Sequence, residues 1–190
     1  MPVPPLKSAR LVLFPMSPTF LEACQSGDHV AAEALIGLRV PDEWYEEQWL
    51  IQLRLNDMRA DPDYEPWSLR AIALTQSGEM IGHTGFHSPP GPAYLQAYAP
   101  GGIELGYTVF PAYRRQGYAR EAVTAMLEYA REQGVPRFVL SISPENAPSL
   151  AIAHHFGFAK VGSYADPEDS EEIIFAREAI TSSEKKGIYL

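Results

Sequence analysis

The chain has 190 residues, 46% of them hydrophobic and 21% charged, enough for one sizeable domain with a real core and no expectation of long disorder. A formal net charge of −9 argues against nucleic acid or anionic membranes as main partners; it suits a cationic substrate such as an amine, or a surface kept acidic for solubility alone. The single cysteine, Cys24, excludes an internal disulfide framework and fits a reducing compartment. The opening "MPVPPLKSARLVLF" lacks the apolar core of a signal peptide, and no apolar run approaches membrane-spanning length, so a soluble, cytoplasmic protein is expected.

In chain order, "ARLVLFPM" is a short apolar run closed by proline and predicts a strand. "SPTFLEACQSGDHVAAEALIG" has helical spacing, a Ser-Pro start and a Gly stop, with a Ser-Gly-Asp that can divide it in two. "DEWYEEQWLIQLRLNDMRA" predicts one helix in which Tyr45, Trp49 and Leu53 share a face and Trp49 belongs to the core. "WSLRAIALTQSGEMIGHTGFH" predicts a β-hairpin turning at "QSGE". The Pro- and Gly-rich "SPPGPAYLQAYAPGG" is a long loop, a place where function often resides.

The strand "IELGYTVFP" follows. Then comes a helix from Tyr118 to Gln133, with Ala119, Ala122, Val123, Met126, Leu127 and Ala130 along one face and Gly134 and Pro136 at its end. "RFVLSIS" is a strand, "ENAPSLAIAHHFGF" a short helix with Gly157 at its C-terminal cap, and "KVGSYA" and "EIIFARE" are two last strands joined by the acidic "DPEDSE". The order is one mixed α/β domain over residues 1–190, with no internal repeat. The strand–helix–strand unit from Ile103 to Ser143 predicts a right-handed crossover with both strands in one sheet.

The stretch "RRQGYAREA", Arg114–Ala122, lies where a strand passes into a helix. Helix N-termini carry unpaired N–H groups and partial positive charge, and a glycine lets a ligand approach the backbone. The amides of Gln116, Gly117, Tyr118, Ala119 and Arg120 can therefore converge on a diphosphate, with Arg114, Arg115 and Arg120 as mobile charges for further phosphates. The plain alternative is an ordinary surface helix start. His154 and His155 are adjacent, point to different sides of a helix and do not chelate one metal, so no metal is expected. His83 and His87, near the long loop, read either as assisting bases or as packing and surface groups.

Together with Asn146, Ser149 and the closing Gly157-Phe158, this stretch resembles the GNAT superfamily of acyl-CoA-dependent N-acyltransferases. Arg114, Gly117 and Ala119 match its Gln/Arg-x-x-Gly-x-Gly/Ala pyrophosphate motif, and Asn146 and Ser149 its Asn-x-x-Ser helix ending in Gly-Phe. "IELGYTVFP" and "ARLVLFPM" are similar to the subgroup of ribosomal-protein N-terminal acetyltransferases. The resemblance spans nearly the whole chain. It implies an α+β fold: a central, curved, mostly antiparallel mixed sheet flanked by helices, in which the fourth and fifth predicted strands, around Ile103–Phe110 and Arg137–Ser143, are parallel and splay apart around pantetheine.

The implied reaction is direct attack of a primary amine on the thioester of acetyl-CoA. Glu104 is the first candidate for the base, against the alternative of a solvent-facing or salt-bridged strand glutamate. N–H groups near Val109 are candidates to hold the thioester oxygen. Asn146 is a candidate ligand of pantetheine and equally a helix N-cap. Ser149 is a candidate to contact the cofactor or protonate the departing thiolate. Ala153 stands where many relatives place an acidic tyrosine, which leaves the acid open and solvent able to serve. Tyr94, Tyr98, Trp44 and Trp49 are candidates to shape the acceptor pocket. The expected partners are acetyl-CoA and an amine, either a small molecule or a protein N-terminus; assembly as a homodimer stays open. The other class of reading is a non-catalytic acyl-CoA-binding or sensor module. A nucleotide-binding protein would show a P-loop or a Gly-x-Gly-x-x-Gly fingerprint, and the sequence has neither.

Overall fold

Two strong punctuation signals organise the first helices. Ser17 accepts the Phe20 N–H at 3.2 Å and Pro18 occupies the first helical position of α1, Pro18–Ser26. Gly27 then turns left-handed at φ 77°, and Asp28 caps α2, His29–Ile36, through the Ala31 N–H. The Ser-Gly-Asp therefore divides the expected helix. The computed structural model of the chain describes residues 3–164 and 171–179; the loop expected at Asp166–Glu171 lies almost wholly outside them. The described chain forms two compact units, one drawn from residues before 90 together with 106–129, the other from 90–105 and the residues after 129.

In the first unit, β1 (Leu6–Lys7), β2 (Leu11–Pro15), β3 (Arg70–Leu74) and β4 (Met80–Phe86) pair antiparallel in sequence order. The two-residue β1 lies in the Pro-rich start and carries no pattern of its own. The expected hairpin is β3–β4, with Ala71 opposite His83 and Ile72 opposite Gly82. The second half of β5 (Ile103–Val109) runs close beside β4: a Cβ at Gly82 would collide with the Thr108 carbonyl oxygen. Only glycine permits that approach.

The helix expected over residues 42–60 is two, α3 (Asp42–Tyr45) and α4 (Gln48–Ala60). The break at Glu46–Glu47 resets the helical phase. The stripe that α4 buries is Ile51, Arg54, Leu55 and Met58, and Trp49, on the opposite side, is 75% exposed. The expectation that Trp49 joins the core is thus corrected. Trp44 does join it, fully buried, its indole N–H donating to Cys24 Sγ at 3.3 Å. Phe20, Leu21, Ile51, Leu55 and Ala71 surround it in one apolar cluster.

In the second unit, β5 pairs parallel with β6 (Arg137–Ile142), β6 antiparallel with β8 (Glu172–Glu178), and β8 antiparallel with β7 (Ala159–Tyr164). The parallel ladder consists of Ile103 opposite Phe138 and Glu104 opposite Val139. Such a short ladder agrees with the expected divergence of these two strands, numbered fifth and sixth once β1 is counted. Leu95, Ala99, Val139 and Ile174 form this unit's apolar cluster. Tyr98 packs against that cluster, while Tyr94 is exposed. The helix α5 (Tyr118–Glu132) buries Ala122, Val123, Met126, Leu127 and Ala130 as its spacing requires. Among the described residues no helix is long and apolar enough to cross a membrane.

Candidate functional site

The expected phosphate cradle has the backbone to be one. Arg115 has φ 62° and Gly117 φ 84°, with Gln116 between them at negative φ. This alternation gathers successive N–H groups into a concavity. A non-glycine residue in the left-handed region is held there against its preference, at about 1 kcal/mol or more, and Arg115 is the sole example among the described residues. The first helical bond of α5 runs from the Glu121 N–H to the Gly117 carbonyl at 3.1 Å. The N–H groups of Tyr118, Ala119 and Arg120 thus have no intrahelical acceptor, and Gly117 offers no side chain to cap them.

The three arginines of the stretch are exposed, but they are not equivalent. Arg115 and Arg120 extend into solvent. Arg114 Nε instead donates to the Val109 carbonyl at 2.9 Å, tying the end of β5 to the cradle. Val109 is buried.

A residue outside the motif holds this segment together. Arg10, just before β2, donates from Nη1 to the Gln116 carbonyl at 3.0 Å and from Nε to Glu121 Oε2 at 2.7 Å. Its guanidinium carbon lies 4.5 Å from the centre of the Tyr118 ring. Glu121 also receives the Arg10 backbone N–H and the Ser8 hydroxyl, each at 2.7 Å. Burial pushes the Glu121 carboxyl up, but these donors outweigh it and hold its pKa below the usual value. The sequence gives no warning of this clip, because its partners are 111 residues apart.

Glu104, Asn146, Ser149 and Ala153 belong to the second unit. Glu104 of β5 is buried, 5% exposed, which removes the solvent-facing alternative. Asn146 precedes α6 (Ala147–His155) and accepts the Ser149 N–H at Oδ1, 3.2 Å away. The capping role proposed for Asn146 is therefore real. Ser149 is half-buried in the first turn. Ala153 is fully buried and supplies no acid. After α6, the Phe158 N–H bonds the Ala153 carbonyl at 3.0 Å and Gly157 has φ 72°, the expected glycine stop.

The first unit also contains a cavity of about 180 Å³. Leu50 and Arg54 of α4 line it, with His83 and Gly85 of β4, His87 just beyond, and Gly106–Thr108 of β5. His83 is 6% exposed, its ring tilted against Trp44 at 5.3 Å. Burial lowers its pKa to about 4, so the imidazole is neutral at physiological pH. Its Nε2 is buried without a hydrogen-bond partner among the described residues. Arg54 Nη1 donates to Asp57 Oδ2 at 2.8 Å and to the His87 carbonyl at 3.0 Å. A Cβ at Gly106 would come within 2.7 Å of His87 Nε2, so glycine is what admits that imidazole. Sequence reasoning left His83 and His87 between two roles, and only burial separates the packed His83 from a surface group.

A family model described as the acetyltransferase (GNAT) domain matches residues 10–159. The chain belongs to the GNAT acetyltransferase family. The model's span takes in Arg10, the cradle, Glu104, Asn146 and Ser149. The chain is 30% identical over 92 residues to the uncharacterized N-acetyltransferase YnaD of Bacillus subtilis (strain 168), covering 48% of this chain and 49% of that one. It thus spans about half the length of that curated relative. A structure described as a GnaT-family acetyltransferase from Bordetella pertussis aligns with TM-score 0.64 and 27% identity over 92% of this chain and 99% of that one. The ribosomal-protein-S5-alanine acetyltransferase from Vibrio fischeri aligns with TM-score 0.63 and 14% identity over 93% and 97%, a likeness of fold. The GNAT fold and the kinship of fold with ribosomal-protein acetyltransferases agree with the expectation from the motifs.

Proposed function

We propose that this GNAT protein is an N-acetyltransferase that moves the acetyl group of acetyl-CoA to a primary amine, working as one domain in the cytoplasm. The observation that carries the reading is the start of α5: unpaired N–H groups of Tyr118–Arg120 behind the alternating backbone at Arg115 and Gly117. Such a start favours an anion. The amides of Gln116–Arg120 take the pyrophosphate, and Arg115 and Arg120 take further phosphate charge. Arg114 fixes the approach through Val109.

The amine nitrogen attacks the thioester carbonyl carbon, the C–N bond forms, and the C–S bond breaks. An alkylamine is mostly protonated at neutral pH, so its proton must first leave, to Glu104 directly or through water. N–H groups near Val109 receive the oxygen as charge develops on it. Asn146 contributes its amide to pantetheine while capping α6. As the amide forms, the nitrogen sheds its second proton, which solvent or the Ser149 hydroxyl acting as a relay passes to the departing thiolate, since Ala153 cannot give one.

The test is release of free CoA thiol across a panel of peptides with different N-termini, amino acids, polyamines and aminoglycosides. At least one amine is expected to consume acetyl-CoA, and Glu104→Gln to reduce kcat for it by about 10²-fold or more. Thiol release by no amine, with acetyl-CoA still bound, would make the protein an acyl-CoA-binding module. An unchanged kcat in Glu104→Gln would remove Glu104 as the base.

A further inference from the structure

We propose that the exposed face at the start of α4, Trp49 with the carboxylates of Glu46 and Glu47 beside it, docks the polypeptide that carries the acceptor amine, and that this polypeptide is basic, with Lys or Arg a few residues from the amine. The inference rests on the acyltransferase reading above and names the acceptor class, which that reading leaves open between a protein and a small molecule.

The charge of the chain is not spread evenly. Residues 17–67, which form α1–α4 and the turn after them, hold eleven Asp and Glu against three Arg, a balance of −8 out of the chain's −9. A coat kept acidic for solubility alone has no need to gather in one stretch. The three arginines are already engaged: Arg39 pairs with Glu79, Arg54 with Asp57 and Arg59 with Glu22. Glu46 and Glu47 stand at the break between α3 and α4. Glu47 precedes α4 without capping it, and neither side chain makes an ion pair or hydrogen bond among the described residues.

Beside this charge stands an aromatic ring that the core does not use. Trp49 is 75% exposed, unusual for so large an apolar group outside a contact surface. The stripe that α4 buries puts Trp49 at the centre of the opposite face, with half-buried Leu53 one turn on and exposed Asn56 beyond it. From Gln48 to Asn56 the one charged residue is Arg54, which is buried. The face thus has negative charge at its N-terminal end and an uncharged, partly apolar stripe after it. Leu50, next to Trp49 around the helix, lines the cavity, so a chain lying on the stripe runs along the cavity's edge.

That division selects the occupant. Glu46 and Trp49 are three residues apart, at most about 11 Å along the chain. A Lys or Arg can therefore lie over the indole while its charge meets the carboxylates. A free polyamine carries ammonium groups along its whole length and would lay some of them on the uncharged stripe. A polypeptide can put cations at the Glu46–Trp49 end and uncharged side chains against Leu53 and Asn56. Nucleic acid and anionic membrane are repelled by the same carboxylates.

The test compares two decapeptides with the same N-terminus, one with Lys at its third and fourth positions and one with Gln there. kcat/KM is expected to favour the lysine peptide about tenfold at low salt, the scale of two surface ion pairs and one cation–π contact. The preference should fade at about 0.5 M salt. It should also shrink toward one in the double variant Glu46→Gln/Glu47→Gln and in Trp49→Ala. Both variants should keep a Tm near the wild-type value, since the changes lie at the surface. Equal turnover of the two peptides, or a preference that both variants retain, would overturn the proposal.

A second arm needs no turnover: the indole N–H resonance of Trp49, assigned by its loss in Trp49→Phe. The lysine peptide should shift it more than the glutamine peptide or spermidine does at the same concentration. Such a shift, with thiol release from no amine, would keep the surface and overturn the transferase reading. No shift with the lysine peptide, or an equal shift with all three, would overturn the surface, whatever the activity.

Discussion

Two helices of this protein start in the same position in the chain's logic, just after a strand and its turn, yet they treat their free N–H groups differently. At α6, Asn146 closes the first turn by accepting the Ser149 N–H. At α5, Gly117 caps nothing, and the N–H groups of Tyr118–Arg120 stay unpaired inside the helix. Both starts look like ordinary surface helices in sequence. The difference is chemical: a capped start has spent its donors on its own chain, and an uncapped one keeps them for a ligand. The segment just before the open start is held by the left-handed Arg115 and by Arg10, which ties the Gln116 carbonyl and the Glu121 carboxylate.

The substitution with the largest expected effect on this contrast is Gly117→Val. The residue would have to adopt φ 84°, with its Cβ 3.4 Å from Arg10 Nη2. CoA affinity by calorimetry should fall about 30-fold, or about 2 kcal/mol. Arg10→Ala should come next. Its pairing with Glu121 is half-exposed at the arginine, 47%, so stability should fall by no more than about 1 kcal/mol. CoA affinity should fall about tenfold through the misplaced cradle. Arg10→Lys should recover little of it, since an ammonium cannot repeat the forked contacts.

The capped start should respond in the opposite currency. Asn146→Ala should lower stability by about 1 kcal/mol, read as a drop in Tm. Asn146→Asp keeps the cap, so Tm should hold; a raised KM for acetyl-CoA in that variant would assign the lost amide to the ligand.

The smallest effect is on pH. The Glu121 carboxyl has a pKa held below its usual 4.5 by Ser8 and Arg10. The unfolded chain takes up the proton first as pH falls. The clip's contribution to stability is therefore complete above about pH 4.5 and is lost as pH drops through the lowered folded value. Acid unfolding curves of Glu121→Gln should lack that component.

Much of this was legible before the structure. The caps at Ser17 and Gly27 and the stripe of α5 depend on residues within a turn of one another, and so did the strand–turn–helix that carries the motif. What was not legible depends on distant chain or on phase. Trp49 looked buried because Tyr45 and Leu53 continued its spacing, but the break between α3 and α4 turned it outward. Arg10 stood before an apolar strand with nothing nearby to mark Glu121 as its partner. His83 lies in a hairpin whose pattern gives its strand but not the cavity beside it. Asn146 showed both of its readings in sequence, and the structure adds the cap.

The central claim is that the open start of α5 holds the pyrophosphate. It is tested most directly by the backbone amide resonances of the protein during titration with CoA. The account predicts downfield proton shifts at Gly117, Tyr118, Ala119 and Arg120 that saturate with the calorimetric binding curve. Binding that left those four amides unmoved would contradict it.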